Sequence, residues 1–204
     1  MAAPIENILV IRRSLFDELG DFQGLNFEPE KYLKAILSRG NNFFIPRPEA
    51  ENDPAYKQII PYSLISHGDT VIHYVRGKKA GEQRLVAKGS IGIGGHMNET
   101  DESLFALDEH AYRAGVEREV NEEIKIETPF EDKIVALLND DSNDVGRVHL
   151  GIVHVFKLSE PRVQKREAMI TSVSFLTKDE LTARRDSLET WSQICLDSLD
   201  ILLS

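Results

Sequence analysis

The stretch REVNEEIKI, Arg118 to Ile126, gathers three glutamates and an arginine into six consecutive positions. At about 100° of rotation per residue, a helix here places Glu119, Glu122 and Glu123 within an arc of roughly 100°. Glu117 points nearly the opposite way. Two acids four apart on a helix repel by about 0.2–0.5 kcal/mol, and Glu119 and Glu123 stand in that relation. The cluster costs stability unless something offsets it. Solvent is one offset, helped by Arg118 four residues before Glu122 and by Lys125, because charge runs are usually solvated faces. A divalent cation is the other, since converging carboxylates suit a hard ion such as magnesium.

Further residues could do chemistry. His96 directly follows Gly94 and Gly95 at the end of a strand. His149 and His154 have odd spacing, face opposite sides of a strand and cannot form one site by themselves. Arg47 in IPRPEAE and Lys57 in YKQIIPY could reach phosphates, against a plain surface role for each. The basic runs RGKK (76–79) and QKR (164–166) read as solvated turns. The single cysteine, Cys195, sits in the apolar run WSQICLDSLDILL and reads as a core residue. One cysteine excludes an internal disulfide framework and a cysteine-rich metal site.

These residues must be held by a fold of 204 residues, 41% hydrophobic and 28% charged, which is ordinary for a globular protein. The net charge of −10 argues against clamping polymeric nucleic acid on a broad basic surface. It allows a small phosphorylated ligand in a local pocket. No apolar run approaches the roughly 20 residues of a membrane span. The start has no basic region ahead of its short apolar run, so a cytoplasmic protein is expected. Residues 1–55, punctuated by GDFQG, RGNN and IPRPEAENDP, read as an irregular N-terminal extension packed on the domain. Within it a strand is expected at Ile8 to Ile11 and a helix around Tyr32 to Ser38. Residues 56–204 read as the domain proper. Strands QIIPYSLISH and TVIHYVRG turn at His67-Gly68-Asp69, and RLVAKGSIGIGGH ends in glycines. After the acidic helix come KIVALLND, RVHLGIVHVFKL and AMITSVSFLT, then helices from Lys178. An α/β protein with a mixed sheet is the natural architecture.

Gly94-Gly95 followed by REVNEE resembles the Nudix box, whose second half reads Arg-Glu-U-x-Glu-Glu-x-Gly-U with U apolar. Arg118, Glu119, Val120, Glu122, Glu123 and Ile126 match it in register. The resemblance implies an α/β/α sandwich with the box helix on one face of the sheet. It also implies a pyrophosphohydrolase that cleaves a phosphoanhydride in a nucleoside diphosphate linked to another group, using Mg2+ or Mn2+. By the same resemblance Glu119 and Glu123 are the principal metal ligands and Glu122 a ligand or the base. Arg118 orients the carboxylates, and Gly95 turns a backbone carbonyl to the metal. A glutamate outside the box, Glu167 ahead of Glu160, is a further candidate base. His96 and Arg47 are candidates for binding substrate, and a homodimer is the assembly implied.

The pattern is departed from in three places. The interval from Gly95 to Arg118 is longer than in the family, so HMNETDESLFALDEH carries an insertion. His110, beside Glu109, falls where the first box glutamate belongs. Lys125 replaces the glycine that closes the box helix, so the helix is expected to run further. Two other functions compete. GGH is similar to the CGH of isopentenyl diphosphate isomerases, but Gly94 stands in the cysteine's place. A non-catalytic nucleotide-sensing module would gain nothing from the electrostatic cost of the three glutamates.

Overall fold

The computed structural model describes residues 5–76, 88–99, 109–166 and 170–204. In chain order the first elements are β1 (Asn7–Arg12), α1 (Arg13–Gly20), β2 (Gly24–Asn26), α2 (Pro29–Ile36), β3 (Asn42–Pro46) and α3 (Arg47–Ala50). They are followed by β4 (Tyr56–His67), β5 (Thr70–Arg76), β6 (Gly89–Ser90), β7 (Gly92–Gly94), α4 (Glu109–Glu123), β8 (Ile124–Ile126) and β9 (Phe130–Asn139). The last are α5 (Asp144–Arg147), β10 (His149–Leu158), β11 (Val163–Lys165), β12 (Ile170–Thr177), α6 (Lys178–Thr182), α7 (Thr190–Asp197) and α8 (Leu199–Leu202). The main sheet has the order β12-β5-β4-β10-β9-β2, with β1, β3, β6 and β7 attached off this path, while β11 and β8 form a two-stranded ribbon. The expected α/β class is the one adopted. Among the described residues no helix is long and apolar enough to cross a membrane.

The chain divides into two compact units: Met1–Pro61, Gly95–Arg118 and Ala136–Ile152 in one, and Tyr62–Gly94, Glu119–Val135 and Val153–Ser204 in the other. In the first unit β1 pairs antiparallel with β3 (Asn7↔Pro46 to Ile11↔Asn42) and with β4 (Val10↔Gln58 to Arg12↔Tyr56). A strand paired on both edges suits a continuous apolar run. Ile8, Leu9, Val10 and Ile11 are all buried. Ile8, Val10 and Ala50 form a core cluster against Phe43, Ile45 and Tyr56. The N-terminal residues are thus more regular than their sequence suggests. Their elements are short and separated by Gly20, Gly24 and Gly40, all at positive φ, which read as loop signals. The helix expected at Tyr32–Ser38 starts earlier, because Pro29 fits the first turn, and ends at Ile36.

In the second unit β4 and β5 form a hairpin through Gly68, at φ 58°, with His67 opposite Thr70. β12 runs antiparallel to β5 from Ile170↔Arg76 to Thr177↔Thr70. Two glycines of GSIGIGG are there for packing. A Cβ on Gly92 would lie 2.3 Å from the Tyr62 ring, and one on Gly89 would lie 2.6 Å from His73 Nε2. The Tyr62 hydroxyl reaches Ser192 Oγ at 2.8 Å, and Ser90 Oγ donates to Glu189 Oε1 at 2.5 Å, which satisfies a buried carboxylate. Cys195 is buried, as expected, and burial raises its thiol pKa, with Glu189 adding to the effect.

Candidate active site

The acidic residues close α4. The helix turns Tyr112, Val116 and Val120 inward at four-residue spacing, and all three are buried. That stripe leaves Glu119 and Glu123 half-buried and Glu122 exposed. Oε2 of Glu123 is shut off from solvent. The last turn of α4 carries no basic residue. Negative side chains at a helix C-terminus meet the negative end of the macrodipole, so these acids sit where a helix tolerates them least.

The helix does not run on past Lys125. It ends at Glu123, and Lys125 lies in β8, opposite Gln164 of β11. The β-branched Ile124 and Ile126 favour the ribbon. The Arg166 backbone N–H donates to the Glu123 carbonyl at 2.9 Å, and Arg166 Nη1 donates to the Asn121 carbonyl at 2.9 Å. The chain after β11 thereby closes the helix end that a glycine would otherwise terminate. Nor does Lys125 relieve the glutamates: its Nζ is 2.6 Å from Glu127 Oε1.

In the first unit, His96 Nε2 lies 2.9 Å from Gln58 Oε1, while the Gln58 amide nitrogen donates to the Ala50 carbonyl at 3.2 Å. An amide oxygen only accepts, so Nε2 carries the His96 proton and Nδ1 holds the lone pair. Burial, then the charge of Arg47 and the neighbouring His149, lower the His96 pKa to about 3, so the ring is neutral. Its centroid is 5.8 Å from that of His149. Arg118 Nη2 donates to the His96 backbone carbonyl at 3.1 Å, tying the residue after Gly95 to α4. That bond has no signal in the box pattern, because any residue supplies a carbonyl.

Lys57 is not free to meet a phosphate. It is fully buried, and its Nζ donates to Asn139 Oδ1 (2.6 Å), Asp141 Oδ1 (2.6 Å) and the carbonyls of Gly146 (3.1 Å) and His149 (3.3 Å). Arg47 is engaged by Glu6 at 3.1 Å and by Glu51 at 2.8 Å. Glu160 is paired with Arg162 at 3.1 Å in exposed surroundings. Glu167 and most of the inserted stretch, 100–108, lie outside the described residues. His110 is exposed on the first turn of α4. His154, fully buried, meets Asp132 at 2.8 Å, a pairing that sequence spacing does not reveal.

No protein-family model matches the chain. Protein YmaB of Bacillus subtilis is 38% identical over 162 residues, 76% of each chain. The solved structure of Tm1382, assigned to the Nudix hydrolases, is 32% identical and superposes with a TM-score of 0.78, covering 95% of this chain and 98% of that one. The chain belongs to the Nudix hydrolases. This Nudix hydrolase also shares its fold with the Nudix domain of Shewanella oneidensis NrtR, solved with ADP ribose, at 14% identity and a TM-score of 0.53 over 72% of this chain and 89% of that one. It is accordingly an enzyme that cleaves phosphoanhydrides.

Proposed function

We propose that this Nudix hydrolase is a divalent-metal-dependent pyrophosphohydrolase of the cytoplasm, acting on a small nucleoside diphosphate derivative. The observation that carries the metal is the placement of Glu119, Glu122 and Glu123 at the C-terminal end of α4, with no basic residue in that turn. Mutual repulsion and the helix dipole both oppose this arrangement, and a bound cation offsets both. Among the described residues no group of three or more His, Cys, Asp or Glu is gathered into a ready-made cage. Magnesium does not need one, since one or two carboxylates suffice, with water and substrate phosphates completing its shell. The donor set is therefore chemically suited to Mg2+ or Mn2+.

Glu119 and Glu123 are the proposed ligands, and exposed Glu122 a ligand or the group that accepts a proton from the attacking water. Gly95 is proposed as a carbonyl ligand on the box pattern alone, and Glu167 stays a candidate base on the same footing. When bound, the ion supplies charge to neutralise the pyrophosphate oxygens. Arg118 holds the Gly-Gly-His turn through the His96 carbonyl, so its proposed part is positioning. Neutral His96, with its lone pair on Nδ1, can accept a hydrogen bond from substrate but cannot pair with a phosphate as a cation. Arg47 would have to exchange two carboxylates for a phosphate, which weighs against it. ADP ribose, the ligand of the NrtR domain, is the first substrate to try, followed by nucleotide sugars, dinucleoside polyphosphates, NADH and nucleoside triphosphates.

The test is hydrolysis in 18O-labelled water with Mg2+ or Mn2+, comparing wild type with Glu123→Gln. Label should enter a phosphate product, chelator should abolish turnover, and the variant should lose at least ~100-fold in rate. Full activity in excess chelator would end the proposal.

A further inference from the structure

The acidic turn of α4 has a cationic neighbour that the box pattern does not contain. Arg166 follows β11 and is held at two points. Its backbone N–H bonds the Glu123 carbonyl and its Nη1 bonds the Asn121 carbonyl, both at 2.9 Å. Its root and one edge of its guanidinium are thereby fixed across the turn that carries Glu122 and Glu123. The side chain is exposed, and among the described residues its Nε and Nη2 have no partner. Two nearby cations are committed elsewhere: Lys125 to Glu127 and Arg162 to Glu160.

Capping a helix C-terminus requires one donor and a positive charge, which a lysine supplies as well as an arginine. An arginine here leaves further N–H donors in a planar fork, the geometry that grips phosphate with two parallel bonds. Beside three glutamates a polyanionic substrate meets repulsion, and a fixed guanidinium at the edge of that field both offsets it and orients the anion.

We propose that Arg166 is a substrate-binding residue whose Nε and Nη2 hold a phosphate of the pyrophosphate-bearing substrate alongside the acidic turn. This rests on the reading of that turn as the cation site.

The test uses imidodiphosphate, a pyrophosphate analogue that resists hydrolysis, titrated calorimetrically in Mg2+ into wild type, Arg166→Lys, Arg166→Gln and Arg162→Gln. Mg2+ alone is titrated in parallel, and each protein is melted in chelator. Arg166→Lys should melt like wild type yet bind the analogue about tenfold more weakly, since it keeps the cap and loses the fork. Arg166→Gln should bind at least as poorly, with Mg2+ affinity retained, and Arg162→Gln should bind like wild type. Wild-type affinity in both Arg166 variants overturns the proposal and leaves the cation site standing. An equal loss in Arg162→Gln also overturns it, because the effect would then be diffuse charge. Failure of wild type to bind Mg2+ at all removes the cation site and this proposal with it.

Discussion

Lys57 shows how far one buried charge can organise its surroundings. Four oxygens surround its Nζ, and the three N–H donors of an ammonium, one of them shared, serve them where the two of a neutral amine would not, so Lys57 is protonated at neutral pH. Burial lowers its pKa, while the bond and charge of Asp141 act against that. At Asp141 burial acts upward, but the bond and charge of Lys57 outweigh it and hold the carboxyl below its ordinary value. Asp141 also bonds Arg13 at 3.0 Å, which acts in the same direction. A depressed carboxyl contributes stability above its unfolded pKa, about 3.9, and loses it as pH falls through the folded value. Urea midpoints at pH 7, 5 and 3 should show Asp141→Asn weaker than wild type at pH 7 and the two converging at pH 3. Parallel curves would mean that Asp141 contributes no charge to the fold.

At the scale of elements, α4 was legible where side-chain type carries the information. The turn of about 100° per residue that gathers Glu119, Glu122 and Glu123 applies because all three lie in α4, whose Val116 and Val120 face inward. Its end was not legible, because a backbone N–H from Arg166, remote in sequence, stops it. The buried role of Lys57 was hidden for a similar reason. Its acceptors come from residues 139–149, and nothing in YKQIIPY announces them. The short N-terminal elements were obscured by the glycines that join them. The helix also makes a prediction independent of substrate. In metal-free protein, Glu123→Gln relieves the repulsion with Glu119, so stability should hold or rise by about 0.2–0.5 kcal/mol. With Mg2+ present the wild type should gain more than the variant, because only binding to the folded state stabilises it. Chelator-stripped and Mg2+-loaded melts of both proteins measure this. A variant that is less stable without metal and equally stabilised with it would make the turn an ordinary solvated surface.

For the whole molecule, the N-terminal residues decide whether 56–204 can stand alone. Removing residues 1–55 takes away β1, which pairs with Tyr56, Lys57 and Gln58 at the start of β4. It also removes β2, which covers the end of β9 from Leu137 to Asn139. Asn139 Nδ2 loses the Phe22 carbonyl, Asp140 loses Gln23, and Asp141 loses Arg13. The fully buried Lys57 would then stand at an open strand edge, and unpaired edges invite association with other chains. Ile8, Leu9, Val10, Ile11 and Phe16, each at most 1% exposed, would leave the core together. At roughly 1.5–3 kcal/mol for each buried side chain, that loss is of the same size as the whole 5–15 kcal/mol by which a domain is usually stable. The fragment 56–204 should therefore aggregate or lack a cooperative thermal transition, with poorly dispersed amide resonances. A soluble fragment that melts cooperatively at the Tm of the full chain would show instead that residues 1–55 are an appendage to a self-sufficient domain.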